Sequence, residues 1–247
     1  MNTIIKKVLL LNFIFIITTS LSAQNWFSGN KKIKGNGVLL KEVREVPNYK
    51  EISIGGFFEV VLVSGKQGKI DIEAEENLMA YITTEVTDRV LKINFKKHTN
   101  INATKKMQLL VPYKGLEGVA IGGSGSVSSN HIIDTNNFNI SIAGSGGLNL
   151  SLKVVNVTTS ISGSGTIDLQ GSTENLNCSI AGSGSVNAYD LKADKVSINI
   201  AGSGSVKTTA ITKLKSKLVG SGNVYYKGKP NKIDTKSVGS GSAFNRN

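Results

Sequence analysis

Seven copies of Gly-Ser-Gly recur through the second half of this chain and constrain its fold more than any other feature. Successive copies begin 18 to 21 residues apart. A unit of this length is too short to bury an apolar face by itself, so neighbouring units have to stack on one another. The repeat therefore predicts a solenoid with one motif per coil, and the motifs begin at Gly123, Gly144, Gly163, Gly182, Gly202, Gly220 and Gly239.

The residues around each motif alternate between apolar and polar, as they do in β-strands. Two positions before each motif, an apolar column holds Ile121, Ile142, Ile161, Ile180, Ile200 and Leu218. Six positions further on, a second column holds Val127, Leu148, Ile167, Val186, Val206 and Val224. The intervening positions carry Asn, Ser and Thr, with Lys taking over toward the C-terminus. A period of two, repeated about every 19 residues, predicts an all-β parallel β-helix with coils about 4.8 Å apart.

Gly-Ser-Gly has three possible interpretations, and the sequence favours one of them. A phosphate-binding loop would need a following helix and usually a lysine in the motif, and neither is found here. A calcium-binding nonapeptide would need an Asp where this chain has Ser, Gly, Thr or Asn. The constant register instead predicts a structural turn, where the backbone needs a positive φ or leaves no room for a Cβ atom. We therefore expect no metal and no cofactor.

The first 23 residues have the pattern of a secretory signal peptide. Lys6 and Lys7 precede a short apolar run, and small and polar residues follow up to Ala23. The run is shorter than the roughly 20 residues of a spanning helix, so we expect export without a transmembrane segment. The destination would be the periplasm, the outer cell surface or the medium. Cys178 is the only cysteine, which excludes an intramolecular disulfide, and its inward position predicts a core residue.

The chain divides into three predicted parts after the signal. Residues 24–48 form a polar, loosely held N-terminal arm, and residues 49–247 form a single β-helix domain. Within that domain, residues 49–118 lack the repeat and are expected to be an atypical capping section that starts the solenoid and protects its first edge. Residues 119–247 form the Gly-Ser-Gly coils. Strand signals in the capping section lie at 51–54, 57–63, 70–74, 90–95 and 108–111, with a short helix at 77–81.

The chain resembles the family described as "putative auto-transporter adhesin, head GIN domain", secreted proteins of Bacteroidetes-type bacteria. The resemblance covers the chain from about Arg44 onward. It rests on the signal, on the first strand up to Ile52, on Leu110-Val111-Pro112, on the segments 58–65 (FEVVLVSG) and 84–93 (TEVTDRVLKI), and on the IAGSGSV coils at Ile180 and Ile200. It implies a right-handed β-helix and an adhesin role, and it supplies no catalytic residues.

The charge of the chain predicts an anionic partner. There are 29 Lys and Arg against 17 Asp and Glu, a net charge of +12, and the exported chain keeps +10 without Lys6 and Lys7. Eight lysines but one carboxylate, Asp234, lie between residues 207 and 236. Lys213, Lys215 and Lys217 alternate with inward residues and so share one outward face, which Lys195 extends into the preceding coil.

Two interpretations of these lysines are open. The face could bind phosphate or uronate groups of lipopolysaccharide or of another acidic polysaccharide. Alternatively, a lysine-rich final coil blocks edge-to-edge aggregation. Nucleic acid is not expected, because neither arginines nor stacking aromatics are interleaved with the lysines.

Catalysis is not expected from this sequence. The glycan-cleaving β-helix enzymes need carboxylates in a groove walled by long loops, whereas these coils are nearly constant in length. The carboxylates of the repeats are not expected to share one column, and His98 and His131 are isolated. We therefore predict a non-catalytic adhesion module. The alternatives are a carbohydrate-active enzyme of the pectin-lyase-like kind and a structural periplasmic protein that self-associates end to end into a homo-oligomer.

Overall fold

The structure, a computed structural model, describes residues 31–247 and confirms the predicted parallel β-helix, with about seven stacked coils. The predicted signal peptide and residues 24–30 of the predicted arm lie outside the described residues. Within residues 31–247, no helix has the length and hydrophobicity that a membrane crossing requires.

The repeat region consists of long strands that wind around the solenoid and pair in parallel with the next coil. Ile142, Ile161, Ile180, Ile200 and Leu218 are register partners from coil to coil, as the apolar column predicts. The strands are β11 (Ser126–Gly144), β12 (Gly147–Gly163), β13 (Thr166–Gly182), β14 (Ser185–Gly202), β15 (Ser205–Gly220), β16 (Asn223–Lys227), β17 (Lys232–Val238) and β18 (Ala243–Asn245).

The core of the solenoid is built from these inward columns. Phe138, Val157 and Leu176 are fully buried, and Cys178 lies between Thr159 and Ile198 in a neighbouring buried column. Burial raises the pKa of the Cys178 thiol to about 11, so the thiol stays protonated at neutral pH.

Glycine is required at the two positions of each motif for different structural reasons. In the coil of β13, Gly182 has φ +122°, and a Cβ atom there would lie 2.6 Å from the carbonyl oxygen of Gly163 in the coil below. That same oxygen accepts a hydrogen bond of 2.9 Å from the backbone N–H of Ser183. Gly184 does not have a positive φ, but a Cβ atom there would meet Ile161 Cγ2 at 2.6 Å. The first glycine therefore supplies the backbone conformation, and the second supplies the space for a core side chain.

The N-terminal section contains short strands and one helical turn. They are β1 (Lys31–Lys34), β2 (Leu39–Glu45), β3 (Glu51–Gly56), β4 (Glu59–Ser64), β5 (Lys69–Glu75), α1 (Glu76–Met79), β6 (Ile82–Thr87), β7 (Val90–Phe95), β8 (Thr99–Asn102), β9 (Gln108–Tyr113) and β10 (Gly118–Gly123).

The coils of this section are stacked out of sequence order. Strands β3 and β4 pair with β10 and β11 on one side, and with β7 and β9 on the other. The coil made by the later segment, residues 90–113, therefore lies outside the coil made by residues 51–64. Strand β6 pairs with β7 in an antiparallel hairpin and ends the parallel ladder there.

The described part of the predicted arm, residues 31–48, is not loosely held. Strand β1 pairs with β8, and β2 pairs antiparallel with β5. Glu75 connects these segments, since its carboxylate has no exposed surface and accepts hydrogen bonds from the N–H groups of Gly37 (2.6 Å) and Thr104 (2.7 Å) and from Thr104 Oγ1 (2.6 Å). Burial alone would raise the pKa of Glu75, but these hydrogen bonds outweigh it and lower that pKa below its ordinary value.

We expect Gly182→Ala to destabilise the protein by at least about 3 kcal/mol. The positive φ alone costs an alanine about 1 to 3 kcal/mol, and the contact with the Gly163 carbonyl adds to that. Gly147→Ala is the matched control, because nothing lies within 4 Å of its Cβ position. Urea unfolding measures both free energies, and equal losses for the two variants would contradict the assigned role of the first glycine.

Glu75→Gln should lower the free energy of unfolding near pH 7 by about 2 kcal/mol, because the amide turns an N–H group toward backbone donors. A lowered folded-state pKa stabilises the fold fully above the ordinary value of about 4.3, and this contribution is lost as pH falls through the folded-state pKa. The gap between wild type and variant should therefore close below about pH 4. Unfolding at a series of pH values tests this against the exposed neighbour Glu76→Gln, and a gap independent of pH would contradict it.

Candidate anion-binding surface

Three polar columns run side by side along one outer face of the solenoid, and their chemistry changes from amide to ammonium along the axis. In the first column Asn156 Nδ2 donates to Asn137 Oδ1, and Asn175 Nδ2 donates to Asn156 Oδ1, both at 2.9 Å. The next residues of this column are Lys195, Lys213 and Lys232. The asparagines thus bond to one another, while the lysines that continue the column have no such arrangement.

We define the lysine face as the six lysines of these columns on β14, β15 and β17. Lys195, Lys213, Lys217, Lys232 and Lys236 are exposed, and Lys215 is half-buried. Lys217 and Lys236 are register partners, and Lys215 is the partner of Asp234. Among the described residues, none of the six lysines forms a salt bridge within 4 Å. The lysine face is a concentration of unpaired positive charge.

The predicted site residues are thereby brought together, but the edge-protection interpretation is wrong for three of them. Strand β15, which carries Lys213, Lys215 and Lys217, is paired with β14 on one side and with β17 on the other. It is therefore an interior strand with no open edge to protect. The interpretation remains applicable only to Lys232 and Lys236 on the outer strand β17.

The seven predicted turn glycines lie at one corner of the solenoid, three residues beyond the third polar column. All have φ between +114° and +124°. Each lies within 2.6 Å, measured from its Cβ position, of a glycine carbonyl oxygen in the neighbouring coil.

A cluster of aromatic and cationic side chains lies near the last coils, and the sequence pattern predicts only some of its members. Tyr226 is buried and Tyr225 is half-exposed, so the two rings point to opposite faces as expected. Tyr225 stacks on Phe244 with ring centroids 5.4 Å apart, and Arg246 lies 5.1 Å from the Tyr225 ring. The 19-residue spacing between Tyr225 and Phe244 is the signal that would have paired them. The two rings cover one face of each other, and Phe244 is still 41% exposed.

The carboxylates of the repeats are less dispersed than expected. Glu174 and Asp194 follow the register pair Thr173 and Ala193, so they are neighbours on adjacent coils. They line a groove of about 450 Å³ together with Asp134, Lys153 and Lys192. Among the described residues, no three His, Cys, Asp or Glu side chains are arranged to hold a metal ion.

Lys213→Gln should raise the thermal stability of the protein at low salt. Lys213 lies between Lys195 and Lys232, and like charges directly opposite in a sheet each cost a few tenths of a kcal/mol or more, so a gain of about 0.5 kcal/mol is expected. Raising NaCl from 10 mM to 1 M shortens the Debye length from about 30 Å to about 3 Å and should remove the gain.

The control for this variant is Lys229→Gln, which removes an exposed charge outside every described strand. Thermal unfolding of the three proteins at both salt concentrations provides the measurement. If Lys213→Gln behaves like the control at 10 mM NaCl, the lysine column carries no repulsion.

Comparison with known proteins identifies the family and the fold. A family model described as "Putative auto-transporter adhesin, head GIN domain" matches residues 48–230. Among curated proteins, none matches the chain in sequence.

Several solved structures are similar to this one. A "putative adhesin" from Bacteroides fragilis NCTC 9343 is 22% identical with a TM-score of 0.82, and the match covers 87% of this chain and 100% of that chain. A "putative adhesin" from Parabacteroides merdae ATCC 43184 is 25% identical with a TM-score of 0.69, covering 87% and 99%. A "putative lipid binding protein" from Parabacteroides distasonis ATCC 8503 is 26% identical with a TM-score of 0.72, covering 88% and 100%.

Proposed function

The chain belongs to the family described as "Putative auto-transporter adhesin, head GIN domain", and we propose that it is an exported, non-catalytic adhesion module that binds anionic polysaccharide through the lysine face. The family description and the adhesins among the similar structures support adhesion. One observation supports an anionic ligand. The lysines of the interior strand β15, which is paired on both sides, form no salt bridge among the described residues.

The spacing of the lysine face suits a repeating polymer. The backbone positions that carry the lysines recur about every 4.8 Å from coil to coil and about every 6.6 Å along a strand. Each contact with an exposed anion is weak in water, but a chain that engages several contacts at once gains from effective concentration. No single lysine should dominate the affinity.

The ligand class is an acidic polysaccharide, and lipopolysaccharide is one member of it. Phosphate and carboxylate groups are the anions that Lys side chains bind in proteins. The similar structure from Parabacteroides distasonis, described as a "putative lipid binding protein", supports a ligand that joins such groups to a lipid. Export would place this protein where these polymers occur.

We expect replacement of Lys213, Lys215 and Lys217 together by Gln to weaken binding to an acidic polysaccharide by at least about tenfold in 50 mM NaCl, since three contacts of about 0.5 kcal/mol or more are lost. The slope of log affinity against log salt should also become shallower. The measurement is biolayer interferometry on immobilised polygalacturonate and on immobilised lipopolysaccharide.

The control variant replaces the exposed lysines Lys32, Lys34 and Lys97 by Gln, which removes the same net charge far from the lysine face. Equal losses for the two triple variants would mean that net charge alone attracts the polymer, and the proposed face would be wrong. Release of unsaturated or reducing sugar during the same incubations would favour the enzyme alternative and would direct attention to Glu174 and Asp194.

End-to-end self-association is a second candidate function with its own support. Ile233 lies over the buried Leu214 but is 50% exposed, because no described strand pairs on the outer side of β17. The solenoid therefore shows apolar core at this end. Sedimentation at several protein concentrations tests this candidate, and Ile233→Lys should abolish any oligomer that forms through it.

A further inference from the structure

An open cavity of about 810 Å³ lies on the N-terminal coils, far from the lysine face. Its lining has four cationic side chains and no carboxylate. The four cationic residues are Lys50, Lys66, Arg89 and Lys114, and Tyr49 and Gln67 line the cavity beside them. We propose that this cavity binds a phosphate group, either free or carried on a larger molecule. The proposal is independent of the lysine face, since no residue is shared.

Hydrogen bonds hold the segment at Tyr49 that lines the cavity. Gln67 holds the backbone of Tyr49 on both sides, donating to its carbonyl oxygen at 2.9 Å and accepting from its N–H at 3.2 Å. The buried Tyr49 hydroxyl donates to the carbonyl oxygen of Pro112, and burial raises the pKa of this hydroxyl. These contacts fix the segment that precedes β3, so the cationic side chains project from a defined surface.

The charge around the cavity is only partly compensated. Lys50 Nζ lies 3.2 Å from Glu117 and 3.3 Å from the carbonyl oxygen of Gly115. Lys66, Arg89 and Lys114 form no salt bridge within the described residues. A single carboxylate ligand would leave most of this charge unmatched, whereas a phosphate monoester carries close to two negative charges and has three acceptor oxygens.

Arg89 occupies a backbone position where glycine is the usual residue. Asp88 (φ +51°) and Arg89 (φ +61°) are the two central residues of the hairpin between β6 and β7, whose flanking residues Thr87 and Val90 are paired. Two-residue hairpins with positive φ at both positions favour Asn-Gly or Asp-Gly. An arginine with this φ is strained, and such strain is found where a side chain is needed for function.

The backbone of this turn also builds the cavity. The carbonyl oxygen of Arg89 accepts hydrogen bonds from the N–H groups of Lys50 (2.8 Å) and Glu51 (3.2 Å). These contacts need only the main chain, so a glycine at position 89 would keep them. The side chain of Arg89 therefore has no structural role in the described contacts, and its planar fork is suited to a phosphate group.

The decisive variant is Arg89→Gly, because a ligand-binding role for Arg89 predicts that this change stabilises the fold but weakens phosphate binding. If Arg89 is kept for ligand binding, the glycine should raise the melting temperature by a few degrees and should weaken phosphate binding at least about tenfold. His98→Gly is the matched control, since His98 also has a positive φ (+60°) but lies outside the cavity. It should raise the melting temperature without changing binding.

The probes are inorganic phosphate, glucose 6-phosphate, and vesicles of phosphatidylcholine with or without phosphatidic acid. Amide chemical-shift titration of the protein with the two soluble probes should move Arg89, Lys66 and Lys114, with a weaker response in Lys66→Gln. Vesicle co-sedimentation distinguishes a lipid-borne phosphate from a free or sugar-borne one. The proposal is overturned if neither soluble probe nor phosphatidic acid vesicles bind, or if Arg89→Gly binds as wild type does.

Discussion

The close approach of backbones at the glycine corner is the constraint on which the solenoid depends. The motif serine N–H of the next coil donates a hydrogen bond to the carbonyl oxygens of Gly123, Gly144, Gly163, Gly182 and Gly202, and Gly241 N–H donates to that of Gly220. The first glycine of the next coil lies so close that a Cβ atom on it would be 2.6 Å or less from the same oxygen. A side chain at this corner would push adjacent coils apart along the whole ladder. Because neighbouring coils approach closely at this corner, the strands keep a constant register there. The apolar column from Ile142 to Leu218 then packs in one core.

This constraint explains which parts of the structure the sequence could predict. Residues 126–238 repeat in register, so spacing alone places Ile180 over Ile161, and Lys213 beside Lys195. The spacing also relates Tyr189 to Lys227, because each lies seven residues after the first glycine of its motif. The Tyr189 ring lies 4.7 Å from Lys227 Nζ, although the register shifts between Ala188 and Lys192.

The N-terminal section could be predicted only as a set of strands. The predicted segments match β3, β4, β5, β7, β9 and the short helix within a few residues, but they miss β6 and β8. The stacking of residues 90–113 outside residues 51–64 has no signature in a single sequence. Positions in such coils depend on contacts between segments that share no repeat. The cavity is one consequence, because Lys50, Lys66, Arg89 and Lys114 belong to four separate segments that only this coil order brings together.

The lysine face and the cavity both contain residues that are unfavourable for local stability. Functional residues are expected at such positions. The lysine face stacks like charges on an interior strand, and Arg89 takes a backbone conformation suited to glycine. The two also share one side of the solenoid. Glu51, next to the cavity, lies in the same register column as Asn139 and Lys215, and the cavity coil is about six coil spacings, or about 30 Å, from β15.

The stretch between these two basic features is neutral, and the asparagine amides of its first column are hydrogen-bonded to one another. It therefore offers an anionic chain little attraction of its own. A polymer lying along the columns would be anchored mainly at its two ends, so its affinity would depend on whether its length spans both. Short phosphate-bearing oligosaccharides would then bind one feature at a time and weakly, while phosphate-bearing chains longer than about 30 Å would gain from both.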